Sequence, residues 1–223
     1  MKNRFYLACF RDNVGANVGF HAIDGKGYVT DIDKAHQYTL EQAQRAWDCG
    51  REFDQPISAD HIDSQTVWKV DCQYIPHLSF ADPKYQEYVA FQKGRWNGND
   101  VFWITESGMP TVDFSKAKRF SLDIAKGYAY DEELVYVPFE RADKVKRRTF
   151  DYSKFNARTM VQGAGLKMPD WLKRKKRRSN NPKVRWNCPC CGKINWQLNP
   201  YDFDGCSDIT CDEYRGIQNY FVA

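Results

Sequence analysis

The sequence predicts an α+β protein in which two tandem ββαβ modules, residues 1–83 and 84–165, precede a basic linker at 166–185 and a small cysteine-rich tail at 186–223. Two observations carry the modules: the chain matches itself when slid by 82 residues, and each matching stretch alternates aromatic-rich strand segments with a short helical one. A third, the crowding of five of the eight cysteines into residues 188–211, sets the tail apart.

The self-match opens with Tyr6 over Tyr88, Ala8 over Ala90, Asn17 over Asn99 and Phe20 over Phe102. It then sharpens. Asp31 to Ala43 lies over Asp113 to Ala125 without a gap, in the shared pattern D-x-x-K-A-x-x-[YF]-[TS]-L-[ED]-x-A. Each copy is expected to begin with a strand (Arg4 to Arg11; Glu87 to Lys93), to turn, and to return in a second strand (Asn17 to Ile23; Asp100 to Thr105). Asn97-Gly98 is a tight-hairpin signal, because both residues tolerate positive φ. Thr39 and Ser121 are placed to cap the helices that follow, with Glu41 and Asp123 favouring the positive helix end. Leu40, Ala43, Leu122 and Ala125 fall on the face turned to the sheet. Asp31, Asp33 and Asp113 sit where an Asp side chain closes a turn through backbone N–H groups. The closing strand is read as Val67 to Pro76 in the first copy and Glu133 to Pro138 in the second. This repeated pattern resembles a short module of bacteriophage-encoded accessory proteins, most without an assigned activity. The resemblance implies an origin and carries no catalytic residue.

Length allows one large or two small cores besides the tail, and the 15% aromatic content suits small cores built from large side chains. There is no membrane-length apolar run and no signal-peptide pattern at Met1-Lys2-Asn3-Arg4, so the expectation is a cytoplasmic protein, in the host cytoplasm if phage-encoded. In that compartment the clustered cysteines read as metal ligands, and Cys9, Cys49 and Cys72 as buried thiols.

Cys188, Cys191, Cys206 and Cys211 form a C-x2-C … C-x4-C pair of knuckles. Two thiolates on one tight turn can face a single cation, and a second turn completes a tetrahedral sulfur shell, the closed structural type of zinc site. Pro189 stiffens the first turn and Gly192 supplies positive φ. Cys190 lies at i, i+2 from Cys188, a poor chelating spacing, so exchange of Cys190 for Cys191 is the alternative ligand set. The tail from Trp186 resembles the zinc-ribbon family, departing from it in the four residues between Cys206 and Cys211 and in the lack of a Gly after Cys211. The implied cofactor is one structural Zn2+ per chain.

The net charge of +4 is unevenly placed, with nine Lys/Arg against the single acid Asp170 between Lys167 and Arg185. Lys173, Arg174, Lys175, Lys176, Arg177 and Arg178 are adjacent and repel one another, which predicts an extended, solvated arm that a polyanion would order. With Lys183, Arg185 and Lys193 they are the candidate nucleic-acid contacts. Arg95 and Trp96, next to Asn97-Gly98, form a candidate contact finger. Asp60-His61-Ile62-Asp63 reads as a solvated loop, and no nucleophile-elbow, Walker, H-E-x-x-H or kinase motif occurs. The expectation is a non-enzymatic protein that engages nucleic acid, DNA or RNA. The alternative is a regulator or inhibitor of host machinery docking on an acidic protein surface.

Overall fold

The computed structural model describes residues 4–177 and 183–216, which fall into two compact units, Met1–Asp170 and Trp171–Ala223. The first unit is mixed α and β. Its chain begins with β1 (Phe5–Val14), β2 (Asn17–His21) and β3 (Tyr28–Val29), then α1 (Leu40–Cys49), β4 (Asp54–Ser58), α2 (Ala59–Asp63) and β5 (Val67–Lys69). After a connection come β6 (Glu87–Asn97), β7 (Asp100–Ile104), β8 (Pro110–Thr111), β9 (Phe120–Ser121), α3 (Leu122–Gly127), β10 (Leu134–Pro138), α4 (Phe139–Val145) and β11 (Arg147–Thr149). One sheet has the order β3-β2-β1-β4 and the other β8-β7-β6-β10, with β9 also on β6. The spatial order is the same in both.

The local signals explain why these elements start where they do. Thr39 Oγ1 accepts the Gln42 N–H while Gln42 Oε1 accepts the Thr39 N–H, a capping box that satisfies two orphan donors of α1. Ser121 Oγ accepts the Ile124 N–H at the head of α3. Asp31, Asp71, Asp113 and Asp151 each accept the N–H two residues on and so open a single 3-10 turn. Ala43 and Ala125 are fully buried beneath α1 and α3, while Leu40 and Leu122 are half-buried at matching places.

Four sequence expectations are corrected here. The strand registers put Phe5 opposite Ser58 and Tyr88 opposite Pro138, and Ala8 opposite Phe20 and Phe91 opposite Trp103. The strands therefore correspond at an offset of 83, with Tyr6 matching Val89 rather than Tyr88, and Asn17 matching Asp100 rather than Asn99. The shift lies after the hairpin, where Asp31 follows Phe20 by eleven residues but Asp113 follows Trp103 by ten, so the hairpins correspond at 83 and the D-x-x-K-A segments at 82. Secondly, the counterpart of Leu134–Pro138 in the first half is Asp54–Ser58, not Val67 to Pro76: Asp54–Ser58 lies antiparallel beside β1 and Leu134–Pro138 beside β6. Thirdly, Ala59–Asp63 is a helical turn rather than a loop, with Arg4 paired to Asp60 and Asp63. Finally, Cys9 is buried but Cys49 is exposed and Cys72 only half-buried.

The two halves are not separate bodies. β5 pairs antiparallel with β11, Val67 opposite Thr149, Trp68 opposite Arg148 and Lys69 opposite Arg147. Each segment then continues onto the other half: the Val18 N–H donates to Phe150 O and the Val101 N–H to Val70 O. Phe150 accordingly belongs to the core of Tyr6, Ala8, Val18, Phe20, Ile32 and Ile57, whereas Val70 and Ile75 belong to that of Val89, Phe91, Val101, Trp103 and Phe114. Burying a side chain such as Phe150 or Val70 contributes about 1.5–3 kcal/mol, so each half is stabilised by residues from the other.

Two further contacts close this junction. The hairpin turns meet, with Gly15 at φ +59° and Gly98 at φ +63°, and the Ala16 N–H donates to Asn97 Oδ1 at 3.0 Å. A Cβ on Gly15 would lie 2.4 Å from Gly98 N, so only glycine allows the approach. Beside the turns, Lys69 and Asp100 are buried, 1% and 0% exposed. Lys69 Nζ donates to Asn17 Oδ1 at 2.8 Å and lies 3.7 Å from Asp100 Oδ2, while Arg147 Nη2 donates to Asp100 Oδ1 at 2.7 Å. Burial pushes the Lys69 ammonium below its ordinary pKa, and Asp100 opposes that shift.

Across the unit boundary, Asp170–Arg177 is a helix, α5, where an extended arm was expected. Leu, Lys and Arg are good helix formers, and their backbone preference prevails over mutual repulsion. The linker's first residues pack on the body: Leu166 is buried, and Lys167 exchanges two backbone hydrogen bonds with the Gln44 amide. The second unit also holds a hairpin, β12 (Val184–Asn187) and β13 (Ile194–Gln197). Among the described residues no helix is long and apolar enough to cross a membrane.

Candidate metal centre and cationic segment

The hairpin of β12 and β13 carries the first knuckle at its turn. The Cys188 N–H donates to Lys193 O and the Gly192 N–H to Cys188 O, both at 2.9 Å, and Gly192 takes φ +74° as its place in the motif requires. The second knuckle is closed by the Cys206 N–H on Glu213 O, the Cys211 N–H on Asp208 O and the Arg215 N–H on Cys206 O. Two polar side chains of β13 hold that loop in place. Asn195 Oδ1 accepts the Ser207 N–H at 2.7 Å, and Gln197 Oε1 accepts the Asp204 N–H at 2.9 Å while its Nε2 donates to the carbonyls of Asn199 and Asp202.

These supports bring Cys188, Cys191, Cys206 and Cys211 together, all four Sγ atoms within 4.8 Å of one another. Cys188 Sγ is 3.6 Å from Cys211 Sγ, and Cys191 Sγ is 3.5 Å from Cys206 Sγ. Tetrahedral thiolates at a metal–sulfur distance of about 2.3 Å would lie about 3.8 Å apart, so the shell needs little adjustment to close on one cation. No disulfide pairs them. Cys188, Cys206 and Cys211 are buried with Phe203 against them, Cys191 is exposed, and Cys190 is exposed outside the group. The ambiguity between Cys190 and Cys191 thus resolves to Cys191.

Backbone donors are aimed at sulfur, with the Asp208 N–H 3.4 Å from Cys206 Sγ and the Cys191 N–H 3.5 Å from Cys188 Sγ. Desolvation raises the Cys188 pKa, but the N–H groups of Cys191 and Cys190 and the neighbouring thiols outweigh it and bring it down to about 7. At Cys211 the Glu213 N–H is opposed by desolvation and by the neighbouring thiols, and the net shift is upward. Four crowded thiols cannot all ionise without a cation among them. The donor set fits a metal ion.

Of the candidate nucleic-acid contacts, Lys173 and Arg174 lie on α5, and the side chains of Lys175, Lys176 and Arg177 and the whole of Arg178 lie outside the described residues. Lys183 immediately precedes β12, and Arg185 is exposed on it. Lys193 was expected to face phosphate, but its ammonium is paired with Asp208, whose carboxyl the lysine hydrogen bond holds down at about 2. The Arg95–Trp96 finger is not a free tip, because the turn beyond it abuts the Gly15 turn. Arg95 lies over the Phe102 ring at 4.6 Å, and Trp96 packs near Phe91 and His77. Two groups of residues escaped the sequence reading. One is the buried pair Asn195 and Gln197; the other is the exposed pair Ile194 and Leu198, which flank Trp196, itself one of the tail aromatics that the sequence offers either for the core or for stacking on a base. Their alternation is visible in the sequence, but alternation does not tell which face is inside. Compared with known proteins, the chain matches no family model, and no curated protein and no solved structure matches it either.

Proposed function

We propose that the chain is a non-enzymatic nucleic-acid-associated protein whose four thiolates hold one structural Zn2+ and whose cationic segment engages a phosphate backbone. The observation that carries this reading is the run of nine Lys/Arg against one acid between Lys167 and Arg185, joined directly to the cysteine module. In this reading residues 186–223 are a zinc ribbon, and four thiolates leave no open position for a reacting water, so the metal holds a fold. The two halves of the body are copies of one ββαβ-type module, as the common strand order and the recurring Asp-opened turns support. The resemblance of the module to phage accessory proteins makes a phage origin and a host-cytoplasmic site of action part of the same proposal.

Two measurements test it. Purified protein should carry one zinc per chain, and Cys206→Ser should lose it while the body stays folded; full retention would point to another ligand set. Nucleic-acid affinity should fall roughly a thousandfold between 50 and 200 mM salt if about six phosphates are neutralised, and replacing Lys173 to Arg178 by Gln should flatten that slope for all sequences alike. If the replacement instead leaves affinity and slope unchanged but removes a protein partner, the cationic segment docks on an acidic surface of host machinery.

A further inference from the structure

The hairpin of the second unit is built inside out. In an antiparallel pair, directly opposed residues share a face. Val184 opposes Gln197 and Trp186 opposes Asn195 on the face towards the cysteines, where Trp186 approaches the Phe203 ring at 6.2 Å. Arg185 opposes Trp196 and Asn187 opposes Ile194 on the other face. The polar residues Asn195 and Gln197 are 3% and 2% exposed, whereas Ile194, Trp196 and Leu198 are 50%, 51% and 63% exposed. Small modules rarely spare a Trp from the core, so a Trp turned outward beside two aliphatic residues needs an explanation other than folding.

Charge is segregated in the same way. Asn195 and Gln197 hold the loop that carries Asp202, Asp204, Asp208, Asp212 and Glu213, so the acids belong to the cysteine face. Among the described residues of the two strands, the outward face carries no acid and one cation, Arg185, directly across from the Trp196 indole. Lys183 enters the same strand two residues earlier, at the end of the cationic run.

We propose that this outward face is a stacking platform for the unpaired bases of single-stranded nucleic acid. Trp196 would take a base against its ring, Ile194 and Leu198 would cover the base edges and sugar, and Arg185 would meet the adjoining phosphate. A base in a duplex is already stacked on both sides, so a flat exposed indole selects strands whose bases are free. A purely apolar protein partner does not call for the Arg185–Trp196 pairing or for the removal of every acid to the opposite face; one nucleotide, an aromatic plane with an anion attached, matches both. The proposal rests on the nucleic-acid reading above and adds the strand type and the residues that choose it.

The test compares a labelled oligothymidine with a duplex of the same length by fluorescence anisotropy at 50 mM salt, using full-length zinc-loaded protein. Trp196→Ala should weaken single-strand binding about tenfold or more, leave the duplex unchanged and preserve the salt slope, because no phosphate contact is lost. Trp196→Phe should restore most of the loss, and Arg185→Gln should lower the slope by about one. An unchanged zinc content shows that the module still folds. Single-strand affinity indifferent to Trp196→Ala, or a loss equal on both nucleic acids, overturns the platform while leaving the cationic segment's role intact. Absence of nucleic-acid binding by the unmodified protein overturns both readings, and loss of a protein partner alone on Trp196→Ala assigns the face to protein.

Discussion

The two sheets of the body occupy equivalent positions around their junction, yet the residues they place there differ in kind. Asn17 stands where the other sheet has Asp100, Lys69 where it has Thr149, and Val67 where it has Arg147, while Gly15 and Gly98 are alike. Asn17 and Asp100 are equivalents that touch, Asn17 Nδ2 donating to Asp100 Oδ2, so a strictly symmetric junction would set carboxylate beside carboxylate there. Instead the buried carboxylate of Asp100 lies between Lys69 and Arg147, which oppose each other on the short ladder, with Asn17 as its neutral counterpart and the buried Asp71 3.8 Å from Arg147. Backbone geometry is kept across the junction where only one residue type fits. Charge is differentiated where identity would repel.

Breaking that arrangement should give the largest effect in the molecule. Asp100→Ala removes the carboxylate that both buried Lys69 and Arg147 face and should cost about 3–5 kcal/mol in urea unfolding, and Asn17→Asp, which makes the halves alike, should also destabilise because a further carboxylate enters beside Asp100. A loss under about 1 kcal/mol for Asp100→Ala would mean that water compensates the cations. The glycines sharpen the other side of the comparison. Gly15→Ala and Gly98→Ala should each cost about 3 kcal/mol, since positive φ and a backbone contact under 3 Å act together. Gly94, at φ +70° with open space around it, should cost only about 1 kcal/mol on the same change.

Local chemistry was legible in the sequence wherever one side chain acts on its own backbone. The Thr39 and Ser121 caps, the turns at Asp31 and Asp113, the positive φ of Gly192 and the four thiols all sit as their neighbours dictate. What involves distant residues was not. Asp54–Ser58 contains Pro56 and reads poorly as a strand, but it lies at the sheet's edge, where a missing N–H is tolerated. Val67–Lys69 reads as the end of its own module because nothing in three residues says that the partner is Arg147–Thr149. In the tail, Ile194 to Leu198 has the alternation of a half-buried strand, and the natural inference that its apolar side faces inward is reversed by the need of the second knuckle for hydrogen-bonding partners.

The exchange of segments between the sheets also sets an order of events during synthesis. The first core lacks Phe150, and its β2 edge lacks the carbonyl that receives the Val18 N–H, until the chain has been made past residue 150. A nascent chain holding only the first half therefore carries an open sheet with apolar residues uncovered, a state prone to aggregation and a natural client for chaperones. The second half completes the first as it emerges, so the body matures in one late cooperative step rather than module by module.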